Sequence, residues 1–100
     1  MLPFIFAATA LGDGDKVTLM LFADSVFTGV EGAAGKLVPV GPPNKYEEVV
    51  AHANATVLVC KPCLEARGLG AAALDKRVTL GGMNDFLAAA KSPDARVINF

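Results

Sequence analysis

The chain has 100 residues, of which 53% are hydrophobic and 19% are charged, and its formal net charge is −1. This length predicts a single domain over residues 1–100 with a thin core, since so short a chain buries only about 60–65% of its unfolded surface. The nine basic residues are scattered, which argues against a nucleic-acid partner. No apolar run approaches the ~20 residues of a membrane span, so no membrane partner is expected.

The first segment is apolar, and it predicts a short helix over residues 3–11. Proline suits a first helical turn, and apolar residues recur at helical spacing in Phe4, Ala7, Ala8 and Leu11. A strand is the alternative, because Phe4-Ile5-Phe6 also favours β structure. No Lys or Arg precedes the run, which argues against a signal peptide and for a cytoplasmic protein.

Strands and helices alternate along the rest of the chain. Residues 16–22 and 56–59 are apolar runs typical of buried strands, and shorter strands are predicted at 78–80 and 96–100. Between them, helices are predicted around 25–34, over 62–74 and over 85–91, the last after an Asn84 cap. A further helix is predicted to begin at an Asn44 cap, with Glu47 in the capping-box position. Gly41-Pro42-Pro43 predicts a rigid break. The alternation indicates a layered α/β sheet with right-handed crossovers.

One short motif carries chemistry, namely Cys60-Lys61-Pro62-Cys63. Cys60 follows a predicted buried strand and begins a predicted helix, and ligands gather beyond the carboxyl ends of such strands. A helix N-terminus and the neighbouring Lys61 both favour the nucleophilic thiolate. Cys63, one turn on, either resolves an oxidised or persulfidated Cys60 as a disulfide or packs inward.

Four other features are weaker candidates. Arg67 lies downstream on the same predicted helix and either reaches back toward the cysteines or faces solvent. Asp24 follows the first strand, so it is either a site residue at the sheet end or a turn residue. His52 has no partner motif, and Gly81-Gly82 either admits a close backbone approach or forms a turn.

Other uses of the cysteine pair fit less well. Zinc requires four ligands, and two thiols with one distant His52 supply too few, so no metal and no cofactor are expected. A thioredoxin-like dithiol reductase has a proline between its cysteines, but it also needs a downstream proline loop, and Pro93 is the only later proline. A third reading makes both cysteines packing residues of a non-catalytic interaction module.

The segment from Val57 to Leu69, above all a cysteine followed by Ala66-Arg67-Gly68-Leu69, resembles the cysteine segment of the DsrE/DsrF-like proteins, which include a subunit of the sulfur relay for tRNA thiolation. Residues 78–83, 96–100 and 17–26 are similar to other parts of that family. The resemblance covers nearly the whole chain, and it implies a three-layer α/β/α sandwich around a mainly parallel sheet. It also implies a homo-oligomer, as a dimer, trimer or hexamer.

The resemblance further implies a function. In sulfur-relay members, the cysteine at the place of Cys60 carries a persulfide, so the expected role is to accept sulfane sulfur on Cys60 and pass it to a partner thiol. Sulfur donor and acceptor proteins are then the expected partners. The family normally opens with a strand, whereas this chain opens with a predicted helix. Either that strand lies outside the sequence, or residues 2–8 supply it.

Overall fold

The computed structural model describes residues 2–36 and 45–99. Its helices and strands alternate as expected for an α/β protein. In chain order they are α1 (Leu2–Gly12), β1 (Val17–Leu21), 3-10 helices at Ala23–Gly29 and Ala34–Lys36, α2 (Tyr46–Val50), β2 (Ala55–Cys60), α3 (Lys61–Ala66), a 3-10 helix at Ala71–Ala73, β3 (Thr79–Gly81) and α4 (Met83–Ala90).

The described strands form one parallel sheet in the order β1-β2-β3. The central strand β2 is the most apolar of the three, and its last four residues are buried. Such a continuous apolar run is what a strand covered on both faces requires. Cys60 ends β2 and is paired in register with Gly81 of β3, while Val59 is paired with Leu21 of β1. The last residue of β2 therefore lies at the carboxyl edge of the sheet.

Helical segments cover both faces of this sheet, and two glycines show how closely. A Cβ atom on Gly29 would lie 2.9 Å from the Val59 Cγ2 atom, so the first 3-10 helix packs directly on that face of β2. A Cβ atom on Gly81 would lie 3.3 Å from Leu58 Cδ2 and 3.0 Å from an Asp85 carboxylate oxygen, which places the start of α4 on the opposite face. The described residues form an α/β sandwich around a three-stranded parallel sheet, which confirms the layered fold that the resemblance implied, with one strand fewer.

The N-terminal helix α1 confirms one of the two alternatives for that segment. Its predicted apolar stripe is buried at Phe4, Ala7 and Leu11. Phe4 packs against Tyr46 of α2 with ring centroids 5.3 Å apart and the two rings tilted by 60°, which joins the two helices. The alternatives that made this segment a strand, or the missing first strand, are wrong, because its apolar residues recur at helical spacing.

Two predicted helices differ from the structure. The long helix over 62–74 is instead the six-residue α3, which ends before Gly68, where φ is +71° and a left-handed turn follows. Gly82, not Asn84, caps α4, because the Asp85 carboxylate accepts the Gly82 N–H at 2.8 Å. The described part of α2 begins at Tyr46, while Asn44 and the Gly41-Pro42-Pro43 break lie outside the described residues.

The predicted last strand is wrong for residues 96–99, which pair with no strand among the described residues. Val97 and Ile98 are 59% and 54% exposed there. Their β propensity is real, but it stabilises a strand only when a neighbouring strand offers backbone hydrogen bonds. Phe100 lies outside the described residues.

Candidate functional site

The two cysteines are joined as a disulfide where β2 passes into α3. Their Cα atoms are 5.3 Å apart, which lies within the normal range for a disulfide. Cys60 is the N-cap residue of α3, in extended conformation, and Pro62 lies in the first turn, where its missing N–H removes no helical hydrogen bond. The local sequence therefore places both sulfur atoms at one helix start beyond the central strand.

The two sulfur atoms differ in their surroundings. Cys60 is only 7% exposed and belongs to the buried core, and its Sγ accepts the Cys63 backbone N–H at 3.4 Å. Cys63 is half-buried. Hydrogen bonding therefore favours negative charge on Cys60, whereas access from solvent favours contact with Cys63.

Two of the sequence-predicted supporting residues meet beside the pair. Arg67 donates from Nε and Nη2 to the same Asp24 carboxylate oxygen, at 2.9 and 2.8 Å. Its Nη1 donates to the Cys63 carbonyl oxygen at 2.9 Å. Arg67 thus reaches back along α3, and one guanidinium links the segment after β1 to the residue that carries the second sulfur.

The short length of α3 explains why a side chain makes this contact. The Arg67 N–H donates to the Leu64 carbonyl at 3.1 Å, as the last turn tightens. The Cys63 carbonyl oxygen accepts from the Arg67 side chain instead. A charged donor also makes a stronger hydrogen bond than a backbone amide.

The backbone that leads to Asp24 is strained. Ala23, just beyond β1, has φ of +49°, and it is the one non-glycine residue with positive φ among the described residues. The left-handed conformation costs an L-residue about 1–2 kcal/mol. It turns the chain directly from the sheet into the 3-10 helix that presents Asp24 to Arg67.

The remaining candidates are not brought to the cysteines by such contacts. Lys61 follows Cys60 but its side chain is exposed. His52 lies before β2, at the other end of that strand, where its Nδ1 accepts the Asn54 N–H at 3.0 Å. Gly81 is the register neighbour of Cys60, and Gly82 caps α4, so these glycines serve a close approach as well as a turn.

A second polar cluster was missed by the sequence analysis. The buried Asp75 carboxylate accepts the Tyr46 hydroxyl at 3.1 Å and the Arg77 side chain at 2.7 and 3.0 Å. Arg77 also donates to both carboxylate oxygens of Glu47, at 2.6 and 3.1 Å. These four residues join α2 to the approach of β3 and border a cavity of about 330 Å³.

The charges in this cluster stabilise one another. The hydrogen bonds from Arg77 lower the pKa of Asp75 to about 2, although burial opposes that change. The same guanidinium lowers the pKa of Glu47. Burial, followed by the Asp75 charge, raises the pKa of Tyr46 well above its ordinary value. Of these four residues, only Glu47 was singled out from the sequence, as a capping residue, and no local motif pairs it with Asp75 or Arg77.

Within residues 2–36 and 45–99, no group of three or more His, Cys, Asp or Glu side chains is placed to hold a metal ion. Across the same residues, none of the helices combines the length and apolar character needed to cross a bilayer.

Comparison with known proteins places the chain in a family. The model of the DsrE/DsrF-like family matches residues 2–100. The chain belongs to the DsrE/DsrF-like family. An uncharacterized protein of Methanopyrus kandleri is 36% identical over 91 residues, which cover 89% of this chain and 72% of that protein. An uncharacterized protein of Methanocaldococcus jannaschii is 36% identical over 98 residues, which cover 95% of this chain and 81% of that one.

Proposed function

We propose that this DsrE/DsrF-like protein is a sulfur carrier, which accepts sulfane sulfur as a persulfide on Cys60 and passes it to a partner thiol. The observation that supports this most is the placement of the cysteine pair beyond the central strand of a parallel sheet, with the Cys63 N–H directed at the Cys60 sulfur. A hydrogen bond to sulfur favours the thiolate, which is the form that attacks sulfane sulfur.

The transfer takes place in two displacements. The Cys60 thiolate attacks the outer sulfur of a donor persulfide, the donor S–S bond breaks, and the donor leaves as a thiolate. An acceptor thiolate then attacks the outer sulfur held on Cys60 and restores the Cys60 thiolate. Each step exchanges one S–S bond for another, so no external oxidant or reductant is consumed. The accepting state is the reduced pair, because the disulfide has no free thiolate.

The charged neighbours have separate roles in this scheme. Lys61, exposed beside Cys60, attracts an anionic donor and offsets thiolate charge. Arg67 and Asp24 hold α3 against the segment that follows β1.

The protein acts as a homo-oligomer and exchanges sulfur with donor and acceptor proteins. Large apolar side chains are exposed at Leu2, Phe6, Phe27, Met83, Leu87, Val97 and Ile98. Helix α4 has no buried residue, although Met83 and Leu87 lie one turn apart on it. Apolar faces of this kind are typical of surfaces that pack against another subunit.

A dithiol reductase is the second candidate, and the disulfide itself favours it, since the two sulfur atoms are placed to cycle between dithiol and disulfide. That activity would reduce a substrate disulfide without retaining sulfur on the protein. It therefore differs from the carrier function in the mass of the product.

Mass spectrometry of the reduced protein after a single dose of a low-molecular-weight persulfide tests the proposal. The carrier function predicts the gain of one sulfur atom on Cys60, its loss to an added thiol, and no gain in Cys60→Ser. Cys63→Ser is the matched control, because it removes the other thiol and leaves the acceptor. Sulfur gain by Cys60→Ser would show that Cys63 is the acceptor. The absence of sulfur gain in wild type and in Cys63→Ser would contradict the carrier function.

A further inference from the structure

The backbone of Cys63, the residue that carries the second sulfur, accepts a side-chain hydrogen bond in addition to its helical contacts. The Cys63 carbonyl accepts a hydrogen bond from the Arg67 guanidinium at 2.9 Å, and that guanidinium is itself held by Asp24. The Arg67 side chain is only 26% exposed whereas Asp24 is 90% exposed, so water competes less for the hydrogen bond to the Cys63 carbonyl than for the contact with Asp24. Asp24 belongs to the segment that follows β1, so the position of Cys63 is set partly from outside its own helix.

We propose that Cys63 attacks the inner sulfur of a persulfide carried by Cys60, which releases sulfide and leaves the Cys60–Cys63 disulfide. Arg67, anchored on Asp24, is the positioning residue for this attack. The inference rests on the proposed persulfide at Cys60 and gives that persulfide a second fate besides transfer to a partner. Persulfides that find no acceptor protein are reduced at the same site.

The step balances within the protein. The Cys63 thiolate displaces hydrosulfide from Cys60, so the bond between the Cys60 sulfur and the sulfane sulfur breaks as the disulfide bond forms. The sulfane sulfur gains two electrons, and each cysteine sulfur loses one. The proton of the persulfide leaves with the hydrosulfide. Two equivalents of a monothiol, or one dithiol, then reduce the disulfide and restore both thiols.

Proximity makes this attack faster than attack by an external thiol. The Cα atoms are 5.3 Å apart and the structure already joins the two sulfur atoms, so no rearrangement of α3 is needed for the product to form. A well-oriented intramolecular nucleophile has a very large effective concentration, whereas a displacement of about 1 Å can cost about a hundredfold in rate. Loss of the Arg67 contact is therefore expected to slow the attack.

The exposure of the two cysteines also fits the final step, in which a thiol reduces the Cys60–Cys63 disulfide. Cys63 is half-buried, whereas Cys60 is 7% exposed, so a reducing thiol meets the Cys63 sulfur first. Attack there frees the Cys60 thiolate, to which the Cys63 N–H is hydrogen-bonded. The acceptor is thus regenerated first, while Cys63 carries the mixed disulfide.

The experiment loads reduced protein with one equivalent of a low-molecular-weight persulfide, removes excess reagent, and follows protein mass and free sulfide with time. Wild type is expected to release about one sulfide per loaded chain without added thiol and to end as the disulfide. Cys63→Ser is expected to retain the sulfur more than about tenfold longer. Equal retention by both proteins would overturn the inference while leaving the carrier function intact, whereas a failure of both proteins to load would contradict the carrier function itself.

The positioning role has its own variants. Asp24→Asn and Arg67→Gln are expected to slow sulfide release by about tenfold, and Arg67→Lys by less, because lysine keeps the charge but not the paired donors. Arg96→Gln, which removes the same charge from an exposed site near the C-terminus, is the matched control. The disulfide equilibrium with a glutathione buffer should shift toward the dithiol in the Asp24 and Arg67 variants alone. Unchanged release rates and an unchanged equilibrium in folded Asp24→Asn would overturn the positioning role.

Discussion

Asp75 provides a direct test of the energetics of this fold, since its carboxylate is buried and both of its oxygens accept hydrogen bonds. It accepts hydrogen bonds from Arg77 and, to smaller effect, from Tyr46, and these lower its pKa from the ordinary 3.8 to about 2. A depressed pKa means that the native state holds the charged form more strongly than the unfolded chain does. The stabilisation is therefore complete above about pH 4 and is lost as the pH falls toward 2.

The expected magnitude follows from that difference. At about 1.4 kcal/mol per pH unit, a fall from 3.8 to about 2 corresponds to about 2 kcal/mol of folding free energy near neutral pH. Asp75→Asn removes the charge and keeps the shape of the side chain. We expect it to lower the free energy of unfolding by about 2 kcal/mol at pH 7, and by much less at pH 2.

Urea denaturation of both proteins at several pH values between 7 and 2 measures this difference. Asp94→Asn, at an exposed carboxylate after α4, is the control and should show little pH-dependent difference from wild type. The reasoning would be refuted if wild type and Asp75→Asn differed by the same amount at pH 7 and at pH 2. An Asp75 carboxyl resonance that titrates near pH 4 in the folded protein would refute it as well.

Three other predictions concern packing, backbone strain and assembly. Gly29→Ala should destabilise the fold by about 1–3 kcal/mol in thermal unfolding, because its Cβ would lie 2.9 Å from a methyl carbon of the buried Val59; an unchanged Tm would contradict this. Ala23→Gly should stabilise the fold by about 1 kcal/mol, since it relieves a φ of +49°, whereas Ala88→Gly on the exposed side of α4 should destabilise it by a similar amount; equal effects would refute the strain. Light scattering should report at least twice the chain mass, and Leu87→Lys should lower that mass, whereas a wild-type monomer at all concentrations would refute assembly through α4.

The elements that sequence predicted best are those whose information is local. The apolar stripe of α1 and the Val-rich run of β2 carry their periodicity within a few residues, so both were found. The predicted strand was wrong for residues 96–99 because a strand depends on a neighbouring strand, and no local pattern shows whether one is present. The helix over 62–74 was overextended, since a glycine that ends a helix and one that interrupts it look alike in sequence.

In the candidate site, too, the local features could be predicted from the sequence and the contacts between distant residues could not. The spacing of the two cysteines and their place after a buried strand were readable, because both are properties of adjacent residues. Arg67 and Asp24 lie 43 positions apart in the chain, and the sequence did not decide whether either residue faces the site. The pairing of β1 with β2 brings both residues to the same edge of the sheet, and this pairing cannot be read from either segment alone. Asp75 was missed altogether and Glu47 was predicted only as a capping residue, since a carboxylate shows no ion-pair partner until the fold places one beside it.

The two cysteines are placed by different kinds of contact, so one of them can be altered by substitution without loss of the fold. The contacts that place Cys60 are backbone ones, namely its register with Gly81 and its position before α3, so substitutions at exposed positions leave it in place. Cys63 depends in addition on a side-chain contact through Arg67, whose partner Asp24 is 90% exposed and packs against little. A change at Asp24 would therefore alter the second sulfur while sparing the first. The proposed persulfide capture and the proposed sulfide release are therefore separable properties of one cysteine pair.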